Sequence, residues 1–251
     1  MLLRKIKMKL LIKFFVKTFE LNLLKIFSKI FGRGVYVSYK NSKLLSFHYG
    51  QYQSANAFES VNSERSPCPW YTYPAIEYLN NLDFKNVSVF EYGSGNSSLY
   101  YLKKGAKVFS VEDNKLWFDK IKSLSKSNHS IKFAPNKKDY IQNFKELINS
   151  NIIVIDGSFR RECAEYLVSR VISNSVKLSL IIIDNSDRYP NTLSYIDEKI
   201  KWHRVDFCGF GPINPYTWVT SMYLCPDNIL PRINKSMHSI NEGDHFVEII
   251  D

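Results

Sequence analysis

The sequence predicts an α/β protein, a doubly wound and mostly parallel sheet of seven strands preceded by a basic amphipathic N-terminal helix. Three observations carry this. Between residues 87 and 184, short and nearly all-apolar runs alternate with helical patterns, as in a parallel sheet covered on both faces. The first run ends in a glycine turn, FEYGSGNSSL at 90–99. The last two runs, 202–207 and 217–224, follow one another without a helix between them, which predicts a closing hairpin. With 251 residues, 45% hydrophobic and 23% charged, the chain can bury a full core as one domain plus an appendage.

The appendage is residues 1–33. They hold nine of the 34 basic residues and one of the 24 acidic ones, so most of the net charge of +10 lies there. Lys5, Lys9, Lys13, Lys17, Lys25 and Lys29 recur at multiples of four between Leu, Ile, Phe and Val. Such spacing keeps them near one face of an amphipathic helix. No apolar run there exceeds three residues, whereas a bilayer span needs about twenty mostly apolar ones. The unbroken apolar region and cleavage site of a secretory signal are also missing. The pattern reads as a helix lying on an anionic membrane surface. Docking on a partner or on the protein itself, and binding to nucleic acid, are its competitors.

Residues 34–74 are expected to form a small β and irregular segment. VYVSY at 35–39 and LLSFHY at 44–49 read as a strand pair after Gly32 and Gly34 break the tail helix. Residues 60–74 are irregular and include PCPWYTYP at 67–74, whose prolines keep it out of the sheet. It is either a cap over a ligand or an aromatic plug under the first helix. The third division, residues 75–251, is the main domain. It opens with a helix at 75–82. After the glycine turn come a strand at 107–113, a helix at 115–124, a strand at 131–134 and a helix at 140–148. A strand at 152–156, a helix at 161–172 and a strand at 180–184 then precede the hairpin.

The glycine turn is the first candidate site. Gly93 and Gly95 let the backbone turn tightly and approach a ligand, and Asn96, Ser97 and Ser98 are good helix-capping types. A phosphate-bearing cofactor meets a Gly-rich loop and a helix N-terminus without needing a carboxylate at the strand end. Glu91 stands two residues before Gly93. S-adenosylmethionine carries no phosphate but does carry an ammonium and a sulfonium, so the carboxylate suits it better than NAD. Ser98 also takes the place of the third glycine of a dinucleotide fingerprint. A glycine-containing turn with no ligand is the other reading. The second strand, KVFSVED at 107–113, ends in Glu112 and Asp113. A carboxylate about twenty residues beyond the glycine turn can hydrogen-bond a ribose diol. The same pair could instead cap the helix at 115–124.

These residues resemble the class I S-adenosylmethionine-dependent methyltransferases over roughly residues 73–225. The marks are EYGSG at 91–95, VED at 111–113, IDG at 155–157 and IIIDN at 181–185. The resemblance implies a Rossmann-like sheet with an antiparallel last strand. Glu91, Gly93, Gly95 and Asn96 would hold the methionine end, and Glu112 and Asp113 the ribose. One departure is the absence of a glycine pair ahead of the fifth strand, where the chain has Val176, Lys177, Leu178 and Ser179.

In open sheets of this kind chemistry sits at the carboxyl ends of the strands. IIVIDG and LIIIDN bring Asp156 and Asp184 there, each of which could also simply cap the next helix. Asp156, Asp184 and Asn185 are three hard oxygen ligands of the kind magnesium takes. The set is similar to that of the catechol O-methyltransferase type, which implies a divalent ion at these residues. The lysine which that type carries three residues after the first Asp is Phe159 here, followed by Arg160. Arginine stays protonated and serves as no general base. Arg160, Arg161 and Arg188 suggest a grip on an anionic acceptor; surface pairing with Asp184 and Asp187 is the alternative. Asp156 is the candidate base, with Arg160 and Asp184 beside it in the catalytic set.

Cys68, Cys163, Cys208 and Cys225 form no C-x-x-C pair, which argues against zinc or a disulfide framework and for a reducing compartment. The five histidines show no metal-ligand spacing. The expected protein is a cytoplasmic enzyme peripheral to the membrane, methylating an oxygen of a small or glycan acceptor with an anionic group. A non-enzymatic membrane adaptor on the same fold is the rival. RNA methylation is disfavoured because the basic residues sit in the tail.

Overall fold

The computed structural model describes residues 26, 29, 30, 32–125, 127–173 and 178–233. They divide into two units, one ending at His48 and the other starting at Tyr49. The expected membrane-facing helix lies almost wholly outside the described residues.

The described part of the smaller unit corrects the sequence reading. Where a strand pair was expected, helix α1 runs over Arg33–Lys43 and a π-helical stretch over Leu44–His48. Gly32, at φ 86, is the residue before α1, and Gly34 lies inside it. Val35 and Val37 alternate with polar neighbours, which suggested a strand, yet both are exposed. An isolated two-stranded ribbon buries too little to hold together, and a helix satisfies its backbone locally, with Lys40 and Lys43 placed favourably in its last turn.

The larger unit holds a seven-stranded sheet. Its strands are β1 Ser88–Tyr92, β2 Lys107–Glu112, β3 His129–Phe133, β4 Ile152–Ile155, β5 Leu180–Ile183, β6 His203–Gly209 and β7 Trp218–Leu224. The spatial order is β3-β2-β1-β4-β5-β7-β6. The first five strands are parallel, and β7 runs antiparallel to both β5 and β6. This is a Rossmann-like, mostly parallel seven-stranded sheet, as the sequence predicted. Strand order reverses between β1 and β4, so the ligand crevice belongs at their carboxyl ends. The middle strands IIVI and LIII are buried along their whole length because helices cover both faces.

The helices are α2 Gln51–Ala57, α3 Tyr73–Asn80, α4 Asn96–Lys103, α5 Lys115–Leu124, α6 Lys137–Ile141, α7 Phe144–Ile148, α8 Arg160–Ser173 and α9 Pro190–Lys199. Asn114 and Asn136 cap α5 and α6 by accepting from Trp117 N and Asp139 N. The single helix expected at 140–148 is broken in two. The Asn143 side chain donates to the carbonyls of Asp139 and Tyr140, diverting acceptors that a continuous helix would need. Helix α9 was not anticipated, although Pro190 at its start is a standard opening signal. One core cluster packs Phe90, Ile153, Ile155, Ile181 and Ile183 of the sheet against Leu167 and Val168 of α8.

The proline-rich segment ends at the β6–β7 end of the sheet. Thr72 N donates to Thr220 Oγ1 at 3.1 Å, Thr72 Oγ1 to Phe207 O at 3.0 Å and Tyr73 N to Phe210 O at 2.7 Å. Tyr71 and Tyr73 are buried as a plug, while Trp70 stays partly exposed.

Candidate functional site

A cleft of about 550 Å³ opens at the carboxyl ends of β1, β2, β4 and β5. Ten of the residues singled out from the sequence line it: Glu91, Gly93, Gly95, Asn96, Glu112, Asp113, Asp156, Arg160, Asp184 and Asn185. The backbone makes this possible at Gly93, whose φ is 98, a conformation that favours glycine, and where a Cβ would crowd Gly157 Cα at 3.0 Å. A Cβ on Gly157 would lie 2.0 Å from Tyr140 Oη. The two loops after β1 and β4 therefore meet glycine to glycine.

Glu91 forms the floor. It is 1% exposed. Its Oε2 contacts the Ser98 hydroxyl and lies 3.1 Å from Ser110 Oγ, while Oε1 has no hydrogen-bond partner among the described residues. Burial pushes its carboxyl up to about 7, against the pull of the surrounding serine hydroxyls. Glu112 is held differently. Ser94 N and Ser94 Oγ donate to its Oε2 at 3.0 and 3.2 Å, and Asn114 N to Oε1 at 2.9 Å. Burial raises its pKa, and these donors oppose the rise. The glycine loop is fixed by Gly95 N donating to Ser98 Oγ at 3.1 Å and by the Trp117 indole donating to Ser94 O. Asn96 Nδ2 donates to Ser60 O at 2.7 Å, so this side chain ties the loop to the preceding segment.

At the other end stand Asp156, Asp184 and Arg160. Asp184 is 2% exposed, and its Oδ1 accepts from Trp218 Nε1 at 3.1 Å and Thr220 Oγ1 at 2.5 Å. Burial, then the neighbouring Asp156 charge, push its carboxyl well above the usual range. Burial also raises Asp156, opposed by Arg160. Arg160 Nη2 donates to Asp156 Oδ1 and to Asp156 O at 3.0 Å each, Nε to Gly157 O at 3.1 Å, and Nη1 to Asp184 O. The guanidinium also stacks on Tyr189, 4.9 Å from the ring centroid.

This arrangement corrects two expectations. Asp156, Asp184 and Asn185 do come together, but the residues do not fit a divalent ion. One Asp184 oxygen is taken by Trp218 and Thr220, and a fixed guanidinium already supplies the positive charge beside Asp156. Nor is Arg160 free to grip an acceptor, because four of its five N–H donors are spent on the protein. Arg161 pairs with Glu165 and donates to Asn191 O, and it does not line the cleft. Arg188 is the arginine of the three left at the cleft wall as an exposed donor, with Nη2 3.2 Å from Tyr216 Oη.

Sequence reasoning missed part of the wall. Phe58, Glu59 and Ser60 close one side with Trp117, beside Trp70 of the segment read as a cap or a plug, and Asn214 and Tyr216 on the β6–β7 loop close the other. That loop is braced by Gln51 Nε2, which donates to Gly211 O and Asn214 O at 3.1 Å each. A signal was present in the cluster GFGPINPYTW at 209–218, whose glycines, prolines and aromatics mark a shaped loop.

Among the described residues no helix is long and apolar enough to cross a membrane, and no group of three or more His, Cys, Asp or Glu side chains is placed to hold a metal. No family model matches the chain, and no curated protein does. Among solved structures the chain is similar to a precorrin-6y C5,15-methyltransferase from Geobacter metallireducens, at 11% identity and TM-score 0.45, over 67% of this chain and 95% of that one. It is also similar to a dimethyladenosine transferase from Plasmodium falciparum, at 14% identity and TM-score 0.43, over 62% and 63%. An rRNA methylase from Streptococcus thermophilus matches at 13% identity and TM-score 0.38, over 59% and 91%. The strand order, the antiparallel β7 and the glycine turn after β1 together make the fold of this chain a Rossmann-like one.

Proposed function

We propose that the protein binds S-adenosylmethionine and transfers its methyl group to an acceptor held at the β4–β5 end of the cleft. The observation that supports this most is Glu91. A buried carboxylate with one unpartnered oxygen at the foot of a glycine turn suits a ligand ammonium and not a phosphate. When bound, the cofactor supplies an electrophilic methyl on sulfur. Glu91 and the Gly93–Gly95 turn would hold its methionine end, and Glu112 with Asp113 its ribose. Most of the rate then comes from holding acceptor and methyl in line, a task of position more than of acid or base strength.

The acceptor side joins Arg188, Asn185, Asn214 and Tyr216. An exposed guanidinium beside an aromatic ring favours a small or glycan acceptor with an anionic group. Asp156 and Asp184 stand where a hydroxyl would lose its proton. Residues 1–33 would bring the enzyme to an anionic membrane surface from the cytoplasmic side. Deleting them should move the protein out of the membrane fraction, and unchanged fractionation defeats that part of the reading.

Titration calorimetry tests the cofactor. Micromolar binding of S-adenosylmethionine, lost in Glu112→Ala and absent for NAD, supports the proposal. No binding to the wild type overturns it.

A further inference from the structure

Behind the cleft a line of hydrogen bonds runs from Glu91 away from the ligand side. Glu91 Oε2 is 3.1 Å from Ser110 Oγ, Ser110 Oγ is 3.0 Å from His129 Nε2, and His129 Nδ1 is 2.7 Å from Ser125 Oγ. Ser125 Oγ in turn is 2.8 Å from the carbonyl of Ile121. The chain crosses from β1 to β2, where Glu91 and Ser110 are register partners, then to half-buried His129 on β3 and half-buried Ser125, and ends at the carbonyl of buried Ile121 on α5.

The donor inventory orients every proton in it. A carbonyl only accepts, so the Ser125 hydroxyl donates to Ile121 O and must accept from His129 Nδ1–H. If His129 is neutral, its Nε2 is then a bare acceptor and takes the Ser110 hydroxyl proton. Ser110 has one proton and has now used it, so its contact with Glu91 Oε2 is a hydrogen bond only if Glu91 itself carries a proton. The alternative arrangement is its mirror. With His129 doubly protonated, Nε2–H donates to Ser110, and Ser110 donates to a Glu91 carboxylate. Ser98 leaves the count unchanged, since it accepts from Gly95 N and spends its own proton on Glu91 Oε2, so its 3.3 Å approach to Ser110 Oγ carries no proton of its own.

We propose that Glu91, Ser110 and His129 form a proton relay, with the proton on Glu91 in the free protein and on His129 when a cationic ligand occupies the cleft at Glu91. In the shift the Glu91 O–H bond breaks as an O–H bond forms on Ser110 Oγ. The proton originally on Ser110 passes to His129 Nε2, and His129 keeps its Nδ1–H on Ser125. Atoms and charge balance within the three side chains. Glu91 thereby becomes the carboxylate that an ammonium requires, and no proton need leave through the occupied cleft.

The other titratable groups facing Glu91 are Asp156 at the end of β4, Tyr71 before α3 and Tyr101 on α4. The Asp156 charge disfavours an ionised Glu91 when the cleft holds no cation, while the two tyrosines are held neutral by burial. Around His129, burial alone holds the imidazole down, to about 4, with no charged neighbour contributing. Both ends therefore resist ionisation until a cation docks.

The cation in question is the ammonium of the proposed cofactor, so the ligand half of the inference rests on that reading, whereas the free-state half does not. The test is long-range proton–nitrogen NMR of the His129 ring in the full chain, assigned with His129→Gln and titrated with S-adenosylmethionine. The free wild type at neutral pH should show a neutral ring protonated on Nδ1. Saturation should convert it to imidazolium. Ser110→Ala under the same saturation should keep the ring neutral, and Ser110→Thr should restore the response. A free protein with the ring proton on Nε2 overturns the relay without any ligand. A saturated wild type with a neutral His129, or a response that survives Ser110→Ala, also overturns it. Absence of binding in calorimetry defeats the cofactor reading and with it the ligand half of the relay; the free-state half is still decided by the Nδ1 or Nε2 signal.

Discussion

Replacing Glu91 by Gln should change how stability depends on pH, and the size follows from the burial of this side chain. Folding moves its carboxyl from an ordinary 4.5 to about 7. The folded state thus binds the proton more tightly than the unfolded chain. Stability from this group is fully present below the ordinary value and is lost as pH rises through the window up to about 7. Each unit of difference is worth about 1.4 kcal/mol, and integrating the linkage from about pH 5 to about pH 8 gives a loss of roughly 2.5 kcal/mol in the wild type. Gln has the shape of the protonated acid and an amide N–H that can face Ser110, but it does not titrate. The stability difference between Glu91→Gln and wild type should therefore shift in favour of the variant by roughly that amount over the same range. Urea unfolding of both proteins at several pH values measures it. Parallel curves, with a difference constant to within about 0.5 kcal/mol, would refute the claim that burial holds this carboxyl's proton well above the ordinary carboxylate range.

Three further outcomes are expected. The His129 imidazole is held down to about 4 from an ordinary 6.5, so the unfolded chain takes up the proton first and stability falls as pH drops through that window. His129→Asn should flatten the acid limb of the urea curves. Arg160→Met removes the cation beside Asp156 and Asp184 and should cost about 3–5 kcal/mol, with Arg160→Lys intermediate; magnesium added to the wild type should leave the melting temperature unchanged, and a rise would restore the metal reading. Gly157→Ala puts a Cβ 2.0 Å from Tyr140 Oη and should cost about 1–3 kcal/mol, partly recovered when Tyr140→Phe removes the obstructing oxygen, as read by thermal unfolding.

Periodicity and strand ends were legible because they are local. Apolar runs such as IIVI and LIII announce strands buried on both faces, and the residue following such a run must emerge at the sheet's edge. Glu91, Glu112, Asp156 and Asp184 could therefore be assigned to one crevice from their positions alone. The strand pair read into 35–49 failed for the opposite reason. Alternation in Val35 and Val37 says nothing about whether a neighbouring strand exists to pair with, and none does among the described residues. The break at Asn143 came from a side chain competing for backbone carbonyls, which composition does not reveal.

The sequence by itself determined which residue types reach the cleft, because the two-residue period of a strand and the turn chemistry of glycine act within a few residues. What each type does there was decided by tertiary structure. Asp156, Asp184 and Asn185 looked like metal ligands until Trp218 and Thr220 from β7 were seen on one Asp184 oxygen and the guanidinium from α8 on one Asp156 oxygen. The walls formed by Phe58, Trp70 and Tyr216 likewise come from segments far apart in the chain. Hydrogen-bond partners and burial are properties of the packed molecule, and they set both the charge state of a carboxylate and the ligand it can accept.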